Sequence, residues 1–384
     1  MMKVIALVDC DSFFVSCEQK VNPYLKNRPV CVLTGVNNRG VVVSRSKEAN
    51  ELGIKMGAPY FQIKDMAKQV AFLPARHSLY HEISDKVMAV IKSFSPIVEV
   101  VSVDEAYIDL TGMNKFYNKS YTEIIKDIRL KILKELDIPV SIGLASSKTL
   151  AKLASDKAKK TGGIFVIRPE KIIPIVQDML MTEVSGVGRS TADTLGFYHI
   201  KTIGDFFKQD ILWIKKEMGL VGERLKYELS GQAVIPVNAK EENPRSIQET
   251  KSFDDFTNDF LFLKKRLAEH IHGTSQKLRL QEGYCRTLSV MLRTKTFQVY
   301  EKDIRLKCPT NSERTLYKEG VSLLKLLYRE GIFYRSVGVT LKNLTFSKET
   351  QLSFFETQQV EDDKLSHIID ALENKFGKNI IKLG

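Results

Sequence analysis

A chain of 384 residues is too long for one ordinary core and calls for about two to four folding units, which its 43% hydrophobic content is enough to build. Its formal charge of +12 favours polyanionic partners, nucleic acid first, and excludes cationic surfaces. The opening MMKVIALVDCDSFF holds an apolar run of only about five residues, cut off by two aspartates, so neither a signal peptide nor a membrane span fits and a cytoplasmic protein is expected.

Apolar runs at residues 3–8, 29–34, 40–44, 97–103, 106–110 and 139–144 read as strands, with helical stretches near 79–94 and 120–136, an α/β region around a central sheet. From 170 to 230 short helical pieces are broken at Gly186-Val187-Gly188 and again at Gly219 to Gly222. Each break precedes an amphipathic stretch, a faint internal echo. The proline-bearing, charged stretch from Gln232 reads as a linker. Strands at 245–253, 284–297, 302–307 and 332–343 then alternate with helices at 259–281 and 313–330 in the order βαββαβ, which implies a small sheet with two helices on one face. An irregular stretch and an amphipathic helix at 361–376 close the chain.

Cys10, Cys17, Cys31, Cys285 and Cys308 are odd in number and form no CxxC pair, so buried thiols are expected rather than disulfides or a zinc site. His270 and His272 are two apart on a helix and do not share a face.

The acids carry the chemistry. Asp9 ends an apolar strand, where buried backbone meets solvent, and Asp11 follows two positions later. Asp104 and Glu105 interrupt IVEVVSVDEAYIDL with β-type residues on both sides, which suggests a hairpin tip or a bulge. Adjacent acids repel, and a divalent cation is the usual compensation, with hard oxygen ligands suiting Mg²⁺. Strand-end solubilising groups or N-caps are the plain alternative. On an extended chain Asp11 would face the same way as Asp9, so residue spacing alone leaves it in play.

VDCDSFFVSCE (Val8 to Glu18) with SVDEAYIDLTG (Ser102 to Gly112) resembles the two active-site motifs of Y-family DNA polymerases. SRSKEANELGIKMGAPYF (Ser44 to Phe61), GLASSKTLAKLASDKAKKTGG (Gly143 to Gly163) and VSGVGRSTADTL (Val184 to Leu195) match in order, and the likeness is nearer the UmuC branch than the DinB branch. The resemblance implies a multidomain α+β fold with a right-hand-like arrangement. Palm and fingers would occupy 1–168, a helical thumb with a helix-hairpin-helix element 169–231, a linker 232–243, a βαββαβ little finger 244–347 and a tail 348–384. It implies low-fidelity, template-directed extension of primers with dNTPs for lesion bypass in DNA repair and the SOS response. Asp9, Asp104 and Glu105 become the ligands of two Mg²⁺ ions, with the Cys10 carbonyl as a further ligand.

By the same resemblance Phe14 is the steric gate that would meet a 2′-hydroxyl, with Phe13 the other aromatic of the pair, one of which packs inward. Lys159 is the phosphate-binding lysine and Ser44 a hydroxyl donor near the triphosphate. Lys47 and Asn50 stand where the DinB branch has a tyrosine and an arginine, and Lys47 is kept as a phosphate contact. Gly186 and Gly188 would present backbone N–H groups to a DNA phosphate. Residues 244–347 carry 19 Lys plus Arg against 11 Asp plus Glu, a surplus of +8, and Arg245, Lys251, Arg286, Arg293 and Arg335 lie in or beside its strands as DNA contacts. Gln351, Leu352, Ser353, Phe354 and Phe355 resemble a bacterial sliding-clamp peptide, with Phe354 where leucine is usual. A monomer bound to primer-template DNA, dNTP and clamp is expected. A nucleotidyl cyclase-like two-metal enzyme and a non-catalytic DNA-binding relative are the competing readings.

Overall fold

The computed structural model describes residues 3–35, 40–240, 243–346 and 375. The chain divides into two compact units, Met1–Glu241 and Glu242–Gly384.

The first unit runs β1 (Ile5–Cys10), α1 (Phe13–Val21), β2 (Val30–Leu33), β3 (Val42–Arg45), α2 (Lys47–Glu51), α3 (Tyr60–Ile63) and β4 (Ala71–Pro74). Then come α4 (His77–Lys92), β5 (Val98–Val100), β6 (Glu105–Asp109), α5 (Met113–Tyr117), α6 (Tyr121–Leu136), β7 (Val140–Ala145), α7 (Lys148–Ala158) and β8 (Ile164–Val166). Helices α8 (Ile172–Val176), α9 (Arg189–Phe197), α10 (Ile203–Lys208) and α11 (Ile211–Leu229) complete it. The main sheet is ordered β5-β6-β1-β7-β8, with β1 antiparallel to both neighbours. A smaller sheet is ordered β3-β2-β4.

Central β1 is buried throughout because both sheet faces are covered. Ala6 and Val8 face a core built with α4 and α6, whereas Ile5 and Leu7 face a second core that includes Leu150, Leu153 and Phe206. Each of these side chains larger than alanine contributes about 1.5–3 kcal/mol by leaving water. Helix α6 starts at a capping box of Ser120 and Glu123 and buries Ile124, Ile125, Ile128 and Ile132 at helical spacing.

Helix α7 lies unusually close to β7. A Cβ on Gly143 would stand 2.1 Å from the Ser155 nitrogen and 2.2 Å from the Ala151 carbonyl oxygen, so only glycine admits the helix backbone there. The start of α7 is fixed by its N-cap Ser147 and by the buried Glu228 carboxylate, which accepts from the Thr149 amide at 3.1 Å.

The two glycine breaks differ in form. Gly186 has φ +89° and turns the chain ahead of α9, while Gly219 has φ +63° and kinks α11 internally. Both conformations favour glycine.

The second unit follows β9 (Ser246–Thr257), α12 (Phe260–Leu280), β10 (Tyr284–Thr294), β11 (Val299–Thr310), α13 (Glu313–Leu327) and β12 (Tyr334–Thr345). This is the expected βαββαβ order, in an antiparallel sheet ordered β11-β10-β12-β9. Leu263, Leu267 and Ile271 of α12 pack with Val337, Val339 and Leu341 of β12. His270 and His272 part company as their spacing requires, His270 going to Glu249 and His272 to Glu313. Among the described residues no helix is long and apolar enough to cross a membrane. The expected helix at 361–376 and the peptide Gln351 to Phe355 lie outside the described residues.

Candidate active site

Strand register assembles the acids. Asp9 on β1 stands directly opposite Glu105 on β6 and opposite Ser141 on β7, so the three side chains share one sheet face. Asp104 sits one residue earlier, in the tip between β5 and β6. The amides of Val101 and Ser102 both return to the Glu105 carbonyl, which ends β5 at Val100 rather than at 103 and makes the hairpin tip that the sequence suggested. The Cys10 amide donates to the Asp104 carbonyl at 2.8 Å, which moors the tip to the end of β1. The Ser102 hydroxyl donates to Asp104 Oδ1.

Only 5% of Asp9 is exposed. A buried carboxylate needs a partner, and α7 supplies two. Lys152 Nζ lies 3.0 Å from Asp9 Oδ2 and 2.6 Å from Glu105 Oε2, and Lys159 Nζ lies 2.9 Å from Asp9. Burial works against the Lys152 charge, but Glu105 and Asp9 more than offset it and hold its ammonium well above the usual lysine value. Burial, with Asp104 and Asp9 nearby, drives the Cys10 thiol far up and keeps it protonated.

Asp11 takes a different partner. The chain turns at Ser12, φ +45°, and Asp11 Oδ1 accepts from the Ser141 hydroxyl at 2.8 Å. Burial raises its pKa, and the Ser141 hydrogen bond offsets only part of that.

The donor set suits a hard divalent cation, being carboxylate oxygen, and a cation already sits between two of its members in the form of the Lys152 ammonium. Among the described residues, however, no three His, Cys, Asp or Glu side chains close around one point. Asp104 is turned to Ser102 instead.

Helix α1 resolves the aromatic pair. Phe13 is 3% exposed and joins the core, while half-buried Phe14 stacks on Tyr80 and meets His77 edge-on. The Ser44 hydroxyl accepts from the Val15 amide at 3.4 Å, beside Phe14. Lys47 is not drawn in, standing 84% exposed 3.9 Å from Glu51.

Sequence reasoning did not single out Lys152 and Tyr80. Lys152 stands seven residues before Lys159 in the matched motif, two helical turns along the same face, and that spacing was the available signal. Tyr80 had none, since its partner Glu18 is 62 residues away.

In the second unit, Arg293 lies on the sheet face opposite the helices, paired with Ser336. Lys251 lies opposite core residue Val337 and so belongs to the helix-covered side, at the sheet edge. Arg245 and Arg286 are exposed, and Arg335 lies 3.8 Å over the Phe297 ring. The five therefore do not share one face.

Residues 8–156 match the impB/mucB/samB family, and residues 244–354 match the C-terminal domain of the same family. The chain is 31% identical to protein UmuC of Salmonella typhimurium over 98% of its own length and 92% of that protein. It is 30% identical to DNA polymerase IV 1 of Halalkalibacterium halodurans over 100% and 93%. A Y-family DNA polymerase chimera of Dbh and Dpo4 superposes with a TM-score of 0.78 at 25% identity, over 90% of this chain and 100% of that one. An insertion ternary complex of Dbh DNA polymerase gives 0.61 at 25% identity over the same shares.

Fold and relatives together define a DNA-directed DNA polymerase of the translesion class, working in bypass of DNA damage. The chain belongs to the impB/mucB/samB family of Y-family polymerases, with UmuC-type relatives narrowly ahead of polymerase IV relatives in identity. Membership of the Y family implies dependence on a divalent metal ion.

Proposed function

We propose that the chain extends a primer with dNTPs across damaged template, with Asp9, Asp104 and Glu105 holding two Mg²⁺ ions and the Cys10 carbonyl assisting. The observation that carries this reading is the pairing of Asp9 with Glu105 on adjacent strands under two lysines of one helix. When bound, such ions activate a 3′-hydroxyl and neutralise the leaving pyrophosphate.

The protein's own groups do the rest. Lys159 leaves Asp9 for the triphosphate, joined by the Ser44 hydroxyl and by Lys47 from the rim. Phe14 closes the sugar pocket against a 2′-hydroxyl, with Tyr80 beneath it. Residues 1–168 serve as palm and fingers, and 169–231 as a thumb whose Gly186 and Gly188 amides grip a backbone phosphate. After the linker at 232–243, the little finger at 244–347 binds duplex through Arg245, Arg286, Arg293 and Arg335, with Lys251 at its edge.

The protein acts in the cytoplasm as a monomer, and Gln351, Leu352, Ser353, Phe354 and Phe355 tether it to a sliding clamp, raising its effective concentration at the primer end. Equal clamp stimulation of the parent and a Phe354→Ala, Phe355→Ala double variant would remove the clamp from this reading. Primer extension with Mg²⁺ by Asp9→Ala and Asp104→Ala tests the centre itself. Both variants should lose nucleotide transfer while still folding and binding DNA, and extension above a few per cent of the parent rate rejects the triad.

A further inference from the structure

Two lysines of α7 and its C-cap residue Lys159 line one face, and each ends on a carboxylate. Lys148 reaches Glu99 at 2.6 Å, Lys152 reaches Glu105 and Asp9, and Lys159 reaches Asp9. Lys152 alone bridges two acids of the triad, and they are the two that face each other across β1 and β6. Its side chain is only 20% exposed, against 37% for Lys159.

Two carboxylates this close and this buried repel strongly unless a positive charge stands between them. An ammonium on a flexible four-carbon stem supplies that charge and can also swing away. We infer that Lys152 is a resident counter-cation: it neutralises Asp9 and Glu105 in the free enzyme and has to be displaced before they take up a divalent ion. The inference rests on the reading of these acids as metal ligands.

Displacement strips Lys152 of both its partners, so it is easiest when an anion arrives to receive the ammonium. The triphosphate of an incoming nucleotide has that chemistry. Metal uptake and nucleotide binding are then linked, each strengthening the other, and the free enzyme holds metal weakly. This makes Lys152 a positioning residue, acting on the reaction through Asp9 and Glu105.

The test is Mn²⁺ binding to the full chain without DNA or nucleotide, read from the electron paramagnetic resonance signal of the free ion. Lys152→Met should bind Mn²⁺ about tenfold more tightly than the parent or better, since one fixed positive charge is gone from between two ligands. Lys148→Met, which removes the same charge from Glu99, should match the parent. Equal affinity of Lys152→Met and the parent overturns the inference, and so does equal tightening in Lys148→Met, which would mark a bulk charge effect. If circular dichroism finds Lys152→Met unfolded, Lys152→Gln takes its place, because it keeps a hydrogen-bond donor without the charge. Adding Asp9→Asn separates the two levels. If Mn²⁺ binding ignores Asp9→Asn in every background, the metal-site reading itself has failed. If Asp9→Asn abolishes binding while Lys152→Met equals the parent, only the role of Lys152 has.

Discussion

The ring of Phe14 lies flat on the ring of Tyr80, with centroids 4.4 Å apart and planes 14° from parallel. Tyr80 is itself held from below, its hydroxyl donating to the buried Glu18 carboxylate at 2.7 Å, and Arg76 Nε donating to the same carboxylate at 2.9 Å. The aromatic platform under Phe14 is therefore built on a buried acid. Phe14→Ala should admit ribonucleotides, lowering discrimination between dNTP and rNTP about tenfold or more in kcat/KM. Unchanged discrimination would move the gate elsewhere.

Tyr80→Phe keeps the ring and removes the hydroxyl, leaving Glu18 short of one donor. The expected cost is about 1–2 kcal/mol of stability by urea denaturation, with sugar discrimination retained. A loss of discrimination without a loss of stability would contradict this division of labour.

Gly143→Ala should be among the costliest single changes in the first unit, because the added methyl meets backbone atoms of α7 rather than a movable side chain. Overpacking of this kind costs about 3 kcal/mol, and the lysines of α7 move with the helix, so thermal stability and primer extension should fall together. A variant with the parent's melting temperature would show that the helix yields without penalty.

Much of this was legible in the sequence, for physical reasons that particular residues make plain. Strands β1, β6 and β7 are built on short apolar stretches, and the second unit showed its βαββαβ order because long helices with heavy apolar faces punctuate its strands. Strands β4 and β8 did not stand out, being four and three residues long and only half-buried. Helix α1 was hidden because FFVSC follows a strand with β-type residues, and only the reversal at Ser12 turns it helical. At the site, the acids were visible as motifs of adjacent residues. Lys152 gained its meaning from Glu105 and Asp9, 47 and 143 positions away, a pairing that only register and the close seat of α7 create.

The stretch from Gln232 to Lys240 offers another measurement. Its Asn238 amide donates to Glu99 at 2.7 Å, and its Ile235 amide donates to Glu228 at 2.9 Å. Glu99→Ala removes the outer of these two fastenings. Tryptic cleavage after Lys240 should speed up several-fold while the rest of the first unit stays resistant, because local opening sets the rate. An unchanged rate would mean that Glu99 does not hold this stretch.

Asp109 sets part of the acid limb. Burial pushes its carboxyl up, but the Lys3 ammonium at 2.8 Å and the Thr111 donors outweigh burial and hold it below the usual carboxylate range. A folded pKa below the unfolded value contributes stability above the unfolded value, near 4, and loses it as pH falls through the folded one. The parent should therefore lose more stability between about pH 5 and pH 2 than Asp109→Asn does, read from urea midpoints across that range. Parallel curves would exclude Asp109 as a contributor.

Because α7 and its C-cap carry all three lysines, the helix length is under as tight a constraint as its composition. A single residue inserted between Lys148 and Lys152 would rotate everything after it by about 100° and carry Lys152 and Lys159 off the carboxylates together. Asp9 would then lose both ammonium partners to one event that changes none of the charged residues. The turn at Thr161 to Gly163, where Gly162 and Gly163 have φ of +92° and +88°, lies beyond the last of these lysines, so gains and losses of residues in this region are tolerable there and not inside α7.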